Sequence, residues 1–143
     1  MTATEQGFGD WVRASFAQQG VMELIGAELS ELAPGRCEIR LPFRDDLTQQ
    51  DGFFHAGITS TIADSAGGYA AYSLMPEDSR VLTVEYKVNL LAPAHGELLI
   101  AQGHAVKSGR TLAICDVTVE VEQDGQRTLC AKMLQTLMCL YKQ

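Results

Sequence analysis

The stretch QQDGFFHAGITSTIADSAGGYAAYSLM, Gln49 to Met75, decides how the rest of the chain is read. From Ala56 it carries no proline until Pro76 closes it, so Ala56 to Met75 reads as one long helix. At about 1.5 Å rise per residue such a helix spans about 30 Å. Ile58, Ile62, Ala66, Tyr69 and Ala70 share one broad side. Gly57, Thr61, Asp64, Gly68 and Ala71 share another, which is small and polar with one carboxylate in the middle. Gly67-Gly68 costs helix stability, roughly 1 kcal/mol per Gly against Ala. A helix that carries this cost is expected to pack closely against another backbone or a ligand.

Outward from this helix the chain is strand-rich. Arg80 to Leu91 alternates, which predicts Leu82, Val84, Tyr86, Val88 and Leu90 on one face and Thr83, Glu85, Lys87 and Asn89 on the other. Glu97 to Lys107 and Thr111 to Gln123 read as strands joined at Ser108-Gly109, and Asp124-Gly125 is a stronger hairpin signal. Arg127 to Tyr141 reads as a last strand, although Ala131, Met133 and Leu134 leave its start ambiguous with helix. On the other side, Pro42 to Phe54 is a polar loop, and Ala27 to Ala33 and Arg36 to Leu41 are strands around Pro34-Gly35. Phe8, Trp11, Val12 and Phe16 stand at helical spacing and predict an N-terminal helix over about residues 7–19, with Met22 and Ile25 as a further turn. One long helix between β-segments that can form a single antiparallel sheet gives an α+β class, with the sheet wrapped around that helix as one domain over 1–143.

Composition narrows the function. The chain has 143 residues, 46% of them hydrophobic and 20% charged, ordinary values for a folded domain and not for a disordered one. No apolar run approaches the ~18 residues of a membrane span. Lys and Arg number 11 against 18 Asp and Glu, a net charge of −7, which disfavours nucleic acid as a partner. Cys37, Cys115, Cys130 and Cys139 form no C-x-x-C pair, and MTATEQGFGDW lacks the basic-then-apolar pattern of a secretory signal. A reduced, cytoplasmic protein is expected. No His, Asp, Glu or Cys cluster has metal-ligand spacing, so neither metal nor cofactor is expected, and no G-x-S-x-G turn is present.

The chemistry concentrates where the loop with Gly52 and His55 enters the long helix. The first N–H groups of a helix have no internal partner and sit at the positive end of its dipole. They are suited to polarising a carbonyl and stabilising an oxyanion. Ala56 and Gly57 supply these groups with almost no side chain to block approach. Asp64 lies eight residues on, about 12 Å along the axis. One carbonyl cannot easily touch both, so a site that uses both combines two antiparallel copies of the helix across a two-fold dimer.

The spacing Gln49, Gly52, His55, Ala56, Gly57, Asp64 resembles the motif of the hotdog-fold acyl-CoA thioesterases of the phenylacetate-degradation type, related to 4-hydroxybenzoyl-CoA thioesterases. TVEYKVNLLAPAHGE and KSGRTLAICDVTV resemble the strand and hairpin that follow in that family, and the likeness runs from about Leu41 to Gln135. The resemblance implies a hotdog fold and a homodimer with composite sites, paired further into a homotetramer. It implies an acyl-CoA substrate whose thioester C=O meets the amide of Ala56 or Gly57. Asp64 from the neighbouring chain is then nucleophile or general base, with Gln49 orienting and Thr83 assisting. His55 is expected to hold the loop at the helix start, and Lys107 and Arg110 are the candidate cations for CoA phosphates. Two residues depart from the family pattern: Ala56 stands for Gly and Gln49 for Asn. Both keep the chemistry in principle, since a backbone donor survives Gly→Ala unless φ is positive.

Hydrolysis of a small aromatic or medium-chain acyl-CoA is therefore the leading reading, with Phe53, Phe54, Tyr69 and Tyr72 as candidate apolar lining. An enoyl-thioester hydratase or dehydratase needs His55 as the main acid-base group and a different helix-start motif. A non-catalytic acyl-CoA binder needs no carboxylate near the thioester. His95 and His104 are isolated and read as surface or sheet residues.

Overall fold

The structure, a computed structural model, describes residues 3–142, with side chains from Gly9 onward. The Phe8 side chain thus lies outside the described residues. Two helices lead the chain, α1 (Ala3–Ala17) and α2 (Gly20–Ile25). The expected single helix ends at Ala17 because the amides of Gln18 and Gln19 turn back to Ser15 and Phe16. Met22 and Ile25 are buried on the separate α2, which Gly26 closes at φ 83°, a left-handed conformation that favours glycine.

Six strands follow: β1 (Glu28–Ala33), β2 (Arg36–Pro42), β3 (Arg80–Leu90), β4 (Leu98–Ser108), β5 (Leu112–Gln123) and β6 (Gln126–Leu140). They form one sheet in the order β1-β2-β4-β5-β6-β3, antiparallel at every step. The ambiguous start of the last strand is settled by cross-strand pairing, with Val117 opposite Met133 and Val119 opposite Ala131. The central helix α3 runs from Ala56 to Tyr72 and ends three residues before the expected Met75. There Ser73 Oγ bonds the Ala70 carbonyl and accepts the Gly35 N–H at 2.8 Å, while Met75 N–H closes a tight turn on Tyr72.

The sheet wraps α3, so the helix is buried nearly all round from Ile62 to Tyr72, with Asp64 half-buried. Ile39, Leu41, Leu99, Val117, Val119 and Leu137 meet Ile62, Ala66 and Ala70 in the core, and Val12 and Met22 cover it from α1 and α2. Helix and sheet approach closely at two glycines. A Cβ on Gly103 of β4 would stand 2.4 Å from the Ala66 carbonyl oxygen, and a Cβ on Gly67 would stand 1.8 Å from Gln135 Oε1. Burial also suppresses the thiols: Cys37 and Cys115 are pushed up to about 12 and Cys130 to about 11.

β3 corrects one expectation. Its register against β6 shifts between Thr83 and Glu85, so Val84 is an extra, bulged residue. Thr83 is opposite Leu137, and Tyr86, Val88 and Leu90 are opposite Gln135, Met133 and Ala131, all buried partners. Thr83 therefore shares the helix side with Tyr86, Val88 and Leu90, while Leu82 joins Glu85, Lys87 and Asn89 on the outer side. Strict alternation assigned the reverse for Thr83 and Leu82.

Because the Gly103 contact is backbone against backbone, neither partner can swing aside. Gly103→Ala is expected to lower the unfolding free energy by about 1–3 kcal/mol, read from the urea midpoint. An unchanged midpoint would mean that α3 can stand further from the sheet without loss.

Candidate active site

The loop before α3 is held by its own backbone and by two side chains. Gln49 Oε1 accepts the amides of Asp51 at 2.6 Å and Phe53 at 3.1 Å. Its oxygen therefore builds the turn, and its NH2 is the end left to act on anything else. Gly52 takes φ 84°, and the Thr48–Phe54 bridge closes the loop. His55 N–H bonds the Leu47 carbonyl at 3.0 Å. Its ring folds back as the N-cap of α3, Nδ1 accepting the Gly57 N–H at 2.8 Å. Gly57 permits this, since a Cβ there would press on that ring at 3.0 Å.

This cap sorts the two expected oxyanion donors. The Gly57 amide is engaged by His55, whereas the Ala56 amide donates to no acceptor among the described residues. Ala56 is exposed, is the first residue of α3, and is not among the residues with positive φ, where Asp124 is the non-glycine case. Its N–H thus points out of the helix start as glycine's would, with the dipole's positive end behind it.

Asp64 sits on α3 where the edge strand crosses. Its Oδ1 accepts the Thr83 hydroxyl at 2.7 Å and the Gln135 Nε2 at 2.5 Å, and Gln135 Nε2 also reaches the Asp64 carbonyl at 3.0 Å. Oδ2 has no donor among the described residues. The bulge at Val84 is what turns Thr83 inward to make this contact. Gln135 escaped the sequence reading. The available signal was its place in the alternation Ala131, Met133, Gln135, Leu137, Cys139, where one amide interrupts a buried apolar face.

A groove of about 410 Å³ opens beside the helix start. Gln49, Phe53, Phe54, Ala56 and Thr59 form one wall, and Leu90 to Ala94 with Cys130 form the other. Asp64 and Thr83 do not line it. Phe53 stacks edge-on with His95 at 5.4 Å and Phe54 with Phe43 at 5.4 Å. Tyr69 and Tyr72, expected as lining, are instead buried in the core. Tyr69 Oη accepts Gln19 Nε2 at 2.9 Å, and Tyr72 Oη donates to the Ser79 carbonyl at 2.9 Å. Lys107 and Arg110 are exposed at the β4–β5 tip, beside Leu112, Met138 and the Arg80 end of β3. The groove lies at the Leu90 end of that strand, so within one chain the cations stand roughly 30 Å from it along the sheet.

The fold is shared with known proteins. Residues 51–128 match the family model of the Thioesterase superfamily. A relative from Halobacterium salinarum that carries the name of an esterase is 31% identical, covering 73% of this chain and 72% of its own. Human acyl-coenzyme A thioesterase 13 is 23% identical over 88% of this chain and 91% of its own. A crystal structure of a thioesterase family protein from Silicibacter pomeroyi superposes with a TM-score of 0.93 at 50% identity, covering 94% of this chain and 99% of that one. A six-stranded antiparallel sheet around one long helix, with an open amide at the helix head, thus belongs to a thioester hydrolase of hotdog fold, and the chain is a member of the Thioesterase superfamily.

Proposed function

We propose that the protein hydrolyses an acyl-CoA with a small aromatic or medium-chain acyl group to the free acid and CoA, at sites shared between two copies of the chain. The observation that carries the reading is the uncommitted Ala56 N–H at the head of a helix whose carboxylate, Asp64, lies under an uncovered edge strand. The amide polarises the thioester C=O and holds the oxyanion. Asp64 Oδ2 takes a proton from the attacking water, or attacks the carbonyl itself and is released by water. The NH2 of Gln49 orients the thioester, Thr83 steadies Asp64, and His55 keeps the helix head in place.

The two ends of the site lie on one rigid helix, about 12 Å apart, and a two-fold axis is the simplest way to join them. The sheet offers two edges. β1 is only six residues long and exposes Glu28 and Glu31, features that discourage pairing. β3 is eleven residues long and exposes Leu82, Val84, Tyr86 and Leu90 by about half each, at 51%, 55%, 45% and 57%. Antiparallel pairing of β3 with its copy, centred near Tyr86, sets Thr83 and Asp64 of one chain opposite Leu90 and the groove of the other. The same operation carries the Lys107–Arg110 tip of the second copy to the groove end, within reach of CoA phosphates. Exposed Leu82, Leu112 and Leu134 on the outer sheet face suit the pairing of two such dimers into a tetramer. Four free cysteines suit a reducing compartment, and the proposal places the enzyme in the cytoplasm.

Three measurements test this. Against a panel of acyl-CoAs with release of free thiol recorded, the wild-type chain is expected to turn over. Asp64→Asn is expected to lose about 10²–10⁴-fold in kcat, and full activity in that variant would remove Asp64 from the chemistry. Ala56→Pro deletes only the free donor, because proline is tolerated at the first helical position and His55 at φ −62°, ψ 139° already has the backbone a following proline requires. The folded variant is expected to lose about 10²–10³-fold in kcat, and unchanged turnover would place the oxyanion elsewhere. Finally, Tyr86→Cys is expected to give an oxidised covalent dimer on non-reducing gels, because the native thiols are buried. A monomer band under the same oxidant would reject the β3 pairing.

A further inference from the structure

We infer that Gln135, admitted by the notch at Gly67, is a positioning residue that locks the Asp64 carboxylate in one orientation and leaves Oδ2 alone to react. This deepens the proposed hydrolysis and rests on Asp64 acting in it. Gln135 is 1% exposed, in the middle of an otherwise apolar inward row of β6. A buried amide is costly unless its groups are bonded, and here the bonding is lopsided. The NH2 end takes both the Oδ1 and the backbone oxygen of Asp64, at 2.5 and 3.0 Å. The Oε1 end has no hydrogen-bond partner among the described residues. A leucine or methionine would fill this volume without an orphan oxygen, so core packing alone gives no reason for glutamine.

The geometry points to what the amide does. Asp64 is half-buried and its χ2 rotation is soft. Thr83 alone, one hydroxyl on one oxygen, leaves the carboxylate free to turn about that bond. Gln135 grips the side chain and the main chain of Asp64 together, which fixes the carboxylate plane relative to the helix. Both donors converge on Oδ1, so the other oxygen is the one presented. Gly67 completes the device. Its missing side chain is the space that Oε1 occupies, since a Cβ there would lie 1.8 Å from that oxygen and 2.9 Å from Val117 Cγ2. The glycine that weakens α3 thereby lets an amide from the sheet slide past the helix to its carboxylate.

The groups that face Asp64 from the packed elements are few. On the helix side of the sheet the titratable residues are Tyr86 on β3, Cys37 on β2, Cys115 on β5, and Cys130 and Cys139 on β6, with Tyr69 and Tyr72 on α3 itself. The charged residues of the neighbouring strands, Glu85, Lys87, Asp116, Glu120 and Lys132, alternate to the outer face. Among the described residues, the donors that hold the Asp64 carboxylate are thus Thr83 and Gln135.

The test compares wild type with Gln135→Met, which keeps the volume and removes both donated bonds, and with Gln135→Asn, which keeps the polarity but stops one methylene short. Each is first checked for an intact thermal transition and oligomer by size. The expected result is a fall in kcat of about 10–100-fold with KM within threefold. Gly67→Ala, which pushes the amide away from the helix side, is expected to show the same fall in kcat with KM held. Folded variants with kcat unchanged would overturn the proposal, as would a fall in kcat with a matching rise in KM, the pattern of a merely structural residue. Undiminished turnover by Asp64→Asn would instead remove Asp64 from the chemistry, and no turnover by the wild-type chain on any acyl-CoA would defeat the hydrolytic reading itself, so the failures are separable.

Discussion

Backbone contact between Gly103 on β4 and Ala66–Gly67 on α3 sets how far the central helix stands from the sheet, and the site depends on that distance. With ordinary side chains at the contact the layers would part by the width of a methyl group or more. Thr83 on β3 and Gln135 on β6 would then stop short of Asp64, because a hydrogen bond weakens over a few tenths of an ångström. The small residues of α3, of which the glycines are unfavourable for a helix in isolation, are therefore what permit a carboxylate under the sheet to be held by groups from two strands. Helix stability is recovered through burial, since the stretch from Ile62 to Tyr72 is enclosed almost all round.

Much of this was legible in the sequence, for a physical reason. Period-two alternation and the turn pairs Pro34-Gly35, Ser108-Gly109 and Asp124-Gly125 place the strands to within a residue or so of their observed ends. Pro76 and the uninterrupted run before it place α3. The contact between Thr83 and Asp64 was legible as well, through the family resemblance. The reason Thr83 meets Asp64 was hidden. A bulge at Val84 needs no glycine or proline, so nothing in VLTVEYKVNL marks the loss of phase, and strict alternation sends Thr83 to the wrong side. Tyr69 and Tyr72 illustrate a different limit. A helical wheel gives a side but not what covers it, and here α1 and Gln19 cover Tyr69 while Tyr72 packs beside it and reaches the Ser79 carbonyl. Gln135 was obscured by a strand start that also reads as helix, because the partner strand that fixes its direction lies outside the local window.

The division of the site along α3 follows from the helix itself. An open amide exists only at a helix end, where the ladder of backbone bonds runs out. A carboxylate gripped from two strands exists only where the sheet crosses the helix middle. No rotamer of Asp64 bridges eight residues of a rigid helix, and the groove beside Ala56 is bounded by Phe53, Leu90 and Leu91 without any acid. In the proposed dimer, two-fold symmetry supplies two sites for one interface, and an apolar edge strand, hazardous in a monomer, is the joint that makes them.

The two departures from the family motif bear on the groove more than on the reaction. Ala56 keeps a negative φ, so its amide leaves the helix head in the direction a glycine amide takes, while its methyl group adds to the wall on the side of Phe53 and Phe54. Gln49 commits its oxygen to the loop through Asp51 and Phe53. A longer side chain is suited to that double role, because the extra methylene lets the oxygen cap the turn while the NH2 still faces the groove. Under the proposed function, the loop that shapes the groove is thereby braced by the residue that orients the thioester, and a change of acyl group that presses on Phe53 is transmitted to Gln49 through the Phe53 amide.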